Sequence, residues 1–233
     1  MPVYLLIYLV YLQGLYLSCA LTACFLLRRN WPFSYKLLAV LSCVTLAVEL
    51  VVMCCFFRRI DYFGIYNVWA YVEVGTIIYI QFRQAAHTWA KRLLILLLVV
   101  LTATTVALHL LLPAFPRLSG HFLMFFLFFQ LIATCAALVD ILQGTSDRQL
   151  SAQPGLWLAT GMLFYSSLFL VLHIWGFFFT NEANKYFYIF SFVANTFMYG
   201  GFIAAFITLR SHPPIQPADS SPDSPSPPAS PGS

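Results

Sequence analysis

Few residues in this chain could do chemistry, and they sit where a charge is expensive. Glu49, Glu73, His109, Gln130, Asp140, His173 and Asn195 each fall inside a long apolar stretch. A charged side chain at the centre of a membrane helix costs about 2.5–3.5 kcal/mol on insertion scales. Such residues normally face the bundle interior and mark a site or a pathway. Carboxyl and imidazole groups there could bind a ligand, relay a proton or hold a metal. Neighbours at helical spacing extend the set. Trp69, Glu73 and Thr76 share one helix face, as do Gln130 and Thr134; Ser166 and His173 fall on a common face, and Ser191, Asn195 and Tyr199 follow at four-residue steps.

The elements that must position these groups are membrane spans. A spanning helix needs about 20 apolar residues. The chain offers such stretches at 3–27, 37–57, 65–83, 93–112, 122–143, 156–179 and 187–209. The expected fold is all-α, a polytopic integral membrane bundle of seven transmembrane helices. One domain covers 1–209, and a Pro/Ser-rich tail, 210–233, is expected to be disordered because it has little apolar surface to bury. Composition agrees, with 61% hydrophobic and 9% charged residues against about 25% charged in soluble domains. A barrel is excluded, since its strands would alternate apolar and polar and 93–101 is apolar on every face. The third span carries Glu73 and Gln81 and is the least aliphatic, so it is expected inside the bundle.

Lysine and arginine placement sets the expected orientation. Arg28, Arg29, Lys36, Arg83, Lys91, Arg92, Arg148 and Arg210 fall on one side; Arg58, Arg59, Arg117 and Lys185 fall on the other. This is expected to put the N-terminus outside and the C-terminus in the cytoplasm. The first span lacks a basic leader and is followed by Arg28–Arg29, so it reads as an anchor and not a cleaved signal. In this topology Glu49, Glu73, His109, Gln130, His173 and Asn195 lie about 5–12 Å below the outer ends of six helices. Asp140 lies near the opposite end and is expected to reach the interface.

The expectation is an outward-facing polar pocket formed by Glu49, Trp69, Glu73, Thr76, Gln130, Ser166, His173, Asn195 and Tyr199, with Glu73 and His173 as its principal members. Glu73, His173 and His109 are the metal-ligand candidates, although no cofactor is expected. The competing reading is structural. Polar residues in membrane helices often only hydrogen-bond a neighbouring helix, which suits Gln130, Thr134, Ser166 and Asn195. His109 is close enough to a helix end to be interfacial. Trp31, Trp69, Trp89 and Trp157, near span ends, read as interfacial anchors. The cysteines at 19, 24, 43, 54, 55 and 135 all fall within spans and lack zinc spacing. They read as small packing residues, with the adjacent Cys54–Cys55 the one pair to check.

Several families are argued against by their own requirements. A retinal protein needs a lysine in the last helix, and 187–209 has none. Intramembrane zinc hydrolases need paired histidines and metalloproteases an HExxH, and no two histidines here are four apart. A presenilin-type protease needs two intramembrane aspartates; Asp140 stands alone. G-protein-coupled receptor signatures are missing after the third span and in the seventh. No basic run with interleaved aromatics suggests nucleic acid.

One resemblance remains. The segments PGLWLATGMLFYSSLFLVLHIWGFFF (154–179) and YFYIFSFVANTFMYGGFIAAF (186–206) resemble the last two helices of small seven-helix membrane proteins of Bacteroidota, through Gly161, Tyr165, Ser166 and Asn195. Related units form the membrane halves of sensor kinases. The resemblance implies a bacterial inner-membrane protein of unknown or sensory role. The expected function is therefore a sensor or receptor-like module with the lipid bilayer and a cytoplasmic signalling partner as its associates. The alternatives are a membrane enzyme acting on a lipid or amphiphile, and a small transporter or assembly factor. The absence of catalytic spacing weighs against the enzyme.

Overall fold

In hydrocarbon a backbone must satisfy its own hydrogen bonds, and a helix does so within one segment. Each apolar stretch is helical in the computed structural model, which describes residues 3–27, 31–111, 119–144, 147–178 and 183–211. Within these ranges the side chains of 3–8, 63, 108–109, 111, 119–122, 147–149, 175–178 and 183–188 are not described. The helices are α1 (Val3–Leu26), α2 (Phe33–Phe57), α3 (Phe63–Gln84), α4 (Thr88–Leu111), α5 (Ser119–Gly144), α6 (Pro154–Phe178) and α7 (Ala183–Ser211), with a 3₁₀ turn at Asp147–Ala152 before α6. No strand occurs among the described residues. The expected tail beyond 211, Arg28–Arg29 and the side chain of His109 lie outside the described set.

Six of these helices are long and apolar enough to cross a membrane. The helix left out is α3, where Asn67, Glu73, Gln81 and Arg83 dilute the apolar run. Among the described residues there are thus seven α-helices, of which six qualify as spans by length and composition, one fewer than expected. The outward surface of the apolar helices suits a lipid surrounding: Val10 on α1, Val40 on α2, Val99 on α4 and Val171 on α6 are each more than half exposed. Such an apolar surface on a soluble monomer would be unusual.

Local chemistry explains the helix ends. Pro32 precedes α2 and Pro154 opens α6, positions where a missing N–H costs nothing. The end of α2 is closed by paired turns: Ile60 N–H donates to Cys55 O at 2.9 Å and Arg59 N–H to Phe56 O at 3.1 Å. This is the Schellman arrangement, which puts the residue after the cap in the left-handed region. Arg59 occupies it at φ 57°, where glycine is the unstrained choice.

The packing is a ring with one helix outside. α1 packs on α2, α2 on α3, α3 on α5, α5 on α6, α6 on α7, and α7 back on α1. α4 sits on the outer side of the ring, against α3 and α5. α3 therefore has three packing partners, α2, α4 and α5, as its polar composition leads one to expect. The interior is filled by residues such as Leu38, Ile77, Leu158, Met162, Phe202 and Phe206. A second apolar cluster, including Ile78, Leu94, Leu101 and Phe126, joins α3, α4 and α5.

Two tryptophans depart from the anchor expectation. Trp31 is buried and stacks on Phe206, with centroids 5.9 Å apart at 9°, and Trp69 is buried as well. Trp89 and Trp157 are exposed, as anchors would be. The α5–α6 connection is held to α6 by Trp157, whose Nε1 donates to Ser151 O at 3.0 Å.

α6 and α7 approach closely because both are glycine at the crossing. A Cβ on Gly161 would lie 2.6 Å from Phe197 O, and one on Gly201 would lie 2.7 Å from Trp157 O. Close backbone contact through small residues is a standard source of association between membrane helices. Gly200, one residue away, faces open space. Gly161→Ala and Gly201→Ala are therefore expected to lower stability by about 1–3 kcal/mol through overpacking. Gly200→Ala should be neutral or slightly stabilising. Thermal unfolding of the three variants in mild detergent checks this; equal effects would show that the crossing is not sterically set.

Candidate functional site

The described residues of the ring enclose a cavity toward each end. The larger of the two has a volume of about 360 Å³. It lies among the first halves of α1, α3, α5 and α7, the second half of α2 and the middle of α6. That is the end that carries Arg58 and Arg59, where the polar layer was expected. α4 contributes nothing to it.

Of the predicted pocket residues, Glu49, Trp69, Glu73, Asn195 and Tyr199 line this cavity. The four others do not. Gln130 is buried and donates from Nε2 to Met162 Sδ at 3.6 Å, tying α5 to α6. His173 donates from Nδ1 to Phe169 O, one turn back, at 2.8 Å. Ser166 is fully buried at 0% exposure with its Oγ unpaired, and nothing in the structure explains that. Thr76 lies on α3 below Glu73 and is not on the cavity wall. The reason is rotational. Depth along a helix follows from counting residues, but the face that a helix turns to the ring depends on its neighbours. His173 is therefore not brought to Glu73, and α4, which carries His109, is outside the ring. Among the described residues no three His, Cys, Asp or Glu side chains are grouped to hold a metal.

The two carboxyls of the cavity have different surroundings. Glu49, on the last turns of α2, is buried. Tyr66 on α3 donates its hydroxyl to Glu49 Oε1 and Oε2 at 3.1 and 3.0 Å, and Tyr16 on α1 also bonds this carboxyl. Glu73, two turns along α3 from Tyr66, accepts no hydrogen bond from a described residue, although Glu49 is close enough for its charge to act on it. Asn195 spends its Nδ2 on its own helix, donating to Ser191 O at 2.8 Å.

Sequence reasoning missed much of the wall. Gln13 and Tyr16 of α1, Tyr62 and Tyr66 at the start of α3, and Tyr165 of α6 all line it. The signal that could have found them is aromatic, since four of these five residues are tyrosines. Sequence reasoning also missed a sulfur pair. Cys24 of α1 and Cys43 of α2 have Sγ atoms 3.7 Å apart, whereas Cys54–Cys55 forms no such contact.

The second cavity, about 270 Å³, lies at the opposite end, among the start of α2, the end of α3, the end of α5 and the start of α6. Gln81, Gln84, Tyr35 and Asp140 line it. Asp140 does not reach the interface as expected. It is buried and turns to the α3–α4 connection, accepting from Ala86 N at 2.8 Å, His87 N at 2.9 Å and His87 Nδ1 at 2.8 Å. It thus caps the start of α4 from another helix, satisfying amides that would otherwise be orphaned.

Unpaired polar atoms mark both cavities. Several hydroxyls in the helices bond the carbonyl one turn back, as Ser42 does to Leu38 O at 2.9 Å and Thr45 to Leu41 O at 2.9 Å. Among the described residues five buried side-chain atoms have no partner: Gln13 Oε1, Trp69 Nε1, Gln81 Oε1, Gln84 Nε2 and Ser166 Oγ. The first two line the larger cavity and the next two the smaller. A buried polar group without a partner is costly, so its concentration at cavities points to ligands or water there.

Comparison of the chain with protein-family models, with curated proteins and with solved structures finds no match in any of the three. The geometry alone carries the functional argument.

The Asp140 cap yields a prediction. Asp140→Ala should cost about 0.5–2 kcal/mol by removing the acceptor of two partly exposed amides at the start of α4, and amide exchange at 86 and 87 should accelerate. Asp140→Asn, which keeps one acceptor oxygen, should lose less. Unchanged exchange in the alanine variant would show that the turn is held by other contacts.

Proposed function

We propose that this chain is a multi-pass membrane protein, with α3 as a seventh, internal span, whose larger cavity receives a small ligand and which acts as a sensor or receptor-like module. The observation that carries the reading is the cavity itself. Six helices build it, its apolar walls hold two carboxyls, and the Trp69 indole N–H there is buried and unpaired. Largely apolar concavities of about 300–1,000 Å³ with a few convergent polar groups are the usual form of small-molecule sites.

The lysine and arginine bias supports an orientation with this cavity facing outward and the C-terminus in the cytoplasm of a plasma membrane. α3 supports a route for the response. It carries Tyr66, Trp69 and Glu73 at the cavity. About two turns beyond Glu73, Gln81 donates to Thr134 Oγ1 of α5 at 3.2 Å, and α3 ends at the turn capped by Asp140. A ligand that favours one setting of α3 would shift the population of states of that turn, which exposes Lys91 and Arg92 to a cytoplasmic partner.

A second reading, an enzyme acting on an amphiphile, draws on the same pair of carboxyls. Glu73, which accepts no hydrogen bond from a described residue, would act as the base on a substrate or a water. The two readings separate on purified protein, since only an enzyme turns over an amphiphile alone.

The test is a thermal-shift screen of small amphiphiles on the purified chain in detergent. A ligand at 100 times its Kd should stabilise by about 2.7 kcal/mol. That gain should vanish in Ala70→Phe, which fills the cavity, and in Glu73→Gln. Both variants should retain a cooperative transition near that of the parent. Ligand should also change hydrogen exchange at residues 85–92 in the parent. Stabilisation that survives Ala70→Phe would place binding elsewhere and reject the cavity as the site.

A further inference from the structure

We infer that the ligand of the larger cavity is an organic cation, an amine or quaternary ammonium on an apolar body, with its charge against Glu73. The inference rests on the reading of this cavity as a ligand site.

Charge balance is the first argument. The described wall carries Glu49 and Glu73, and none of the described residues on it is Lys, Arg or His. Two carboxyls facing one apolar cavity with no cation among the described wall residues suit a cation from outside, because a buried charge is stable only when paired. The two are not equivalent. Glu49 is already bonded by Tyr66 and Tyr16, while Glu73 accepts nothing from the described residues. Glu73 is therefore the acceptor left for a guest.

The walls supply the second argument. Tyr62 and Tyr66 meet at 6.0 Å between ring centroids with planes 60° apart, and Tyr16 and Tyr199 meet edge-on at 4.8 Å and 82°. These angled aromatic rings and the Trp69 indole line a cavity that also contains carboxyls. That combination is the recognised way to hold an ammonium group, since the ring face is electron-rich.

Size and polar complement narrow the class. A cavity of about 360 Å³ is far larger than a bare metal ion and fits a body of drug-fragment size. Leu9, Leu12, Val52, Met53 and Leu123 provide its apolar contacts. Trp69 is more than nine-tenths buried, with 9% exposure, and its Nε1 has no acceptor. Gln13 Oε1 has no donor. A cation that also carries an oxygen would satisfy the indole N–H, and an ammonium N–H or hydroxyl would satisfy the Gln13 carbonyl.

The test uses the full chain in lipid nanodiscs and equilibrium dialysis of two matched probes, 2-phenylethylamine and its neutral counterpart 2-phenylethanol. Empty nanodiscs give the lipid background. The amine should bind saturably at one per chain, and the alcohol at least about tenfold more weakly, the difference expected of one good charge contact. Glu73→Gln should bring the amine down to the affinity of the alcohol and leave the alcohol unchanged. Asp61→Asn, which removes an exposed carboxyl outside the cavity wall at the same end of the chain, should change neither. Thermal unfolding of each variant verifies that it is folded. If amine and alcohol bind alike and Ala70→Phe removes both, the cavity is a ligand site but not one for cations, and the inference fails alone. If neither probe binds the folded parent above background, the inference fails as well, and the thermal-shift screen decides whether the cavity binds anything else. Amine binding that persists in Glu73→Gln and falls in Asp61→Asn would overturn the inference in favour of surface charge.

Discussion

The constraint on which this structure rests is the cost of an unpaired polar group away from water. It makes every apolar stretch a helix, because no other single segment satisfies its own backbone in hydrocarbon. It turns serine and threonine hydroxyls back onto carbonyls of their own helices, as at Ser18, Thr22 and Thr105. It also sends the longer polar side chains toward neighbouring helices. Tyr11 reaches Thr196 across α1 and α7 at 2.7 Å, and Tyr71 reaches Thr102 across α3 and α4 at 3.1 Å. Against that background the exceptions carry information, and four of the five unpaired buried atoms belong to residues that line a cavity.

The ring follows from the same constraint combined with packing. α3 carries more polar groups than a lipid-facing helix tolerates, and three neighbours shield it. α4, apolar along Ile95, Leu96 and Val99, can face lipid and is the helix left outside. The two glycines at the α6–α7 crossing let those helices close to backbone contact, which tightens one side of the ring. The cavity forms where α1, α2, α3 and α7 cannot close in the same way, since tyrosines and carboxyls occupy the facing positions.

The two ends of the bundle are chemically unlike. One has an aromatic, acidic cavity; the other has the carboxamides of Gln81 and Gln84 and the Asp140 cap. Between them Ile77, Ile80, Leu158 and Met162 are fully buried, with Gln130 bonded to Met162.

How much of this was legible beforehand depends on which physical quantity each feature uses. Helix number, helix limits within a few residues, the alternation of the chain and the depth of Glu49, Glu73 and Asn195 follow from hydropathy and a rise of about 1.5 Å per residue. The sequence by itself determined those, because they are local and one-dimensional. It also flagged α3 as the polar helix. Which face each helix presents was decided only by the tertiary structure. Glu73 and His173 have similar depth, yet one faces the cavity and the other bonds its own helix, because the rotation of a helix is set by its neighbours. The same reason sends Asp140 to a turn more than fifty residues earlier in the chain, brings Cys24 beside Cys43, and leaves α4 outside the ring.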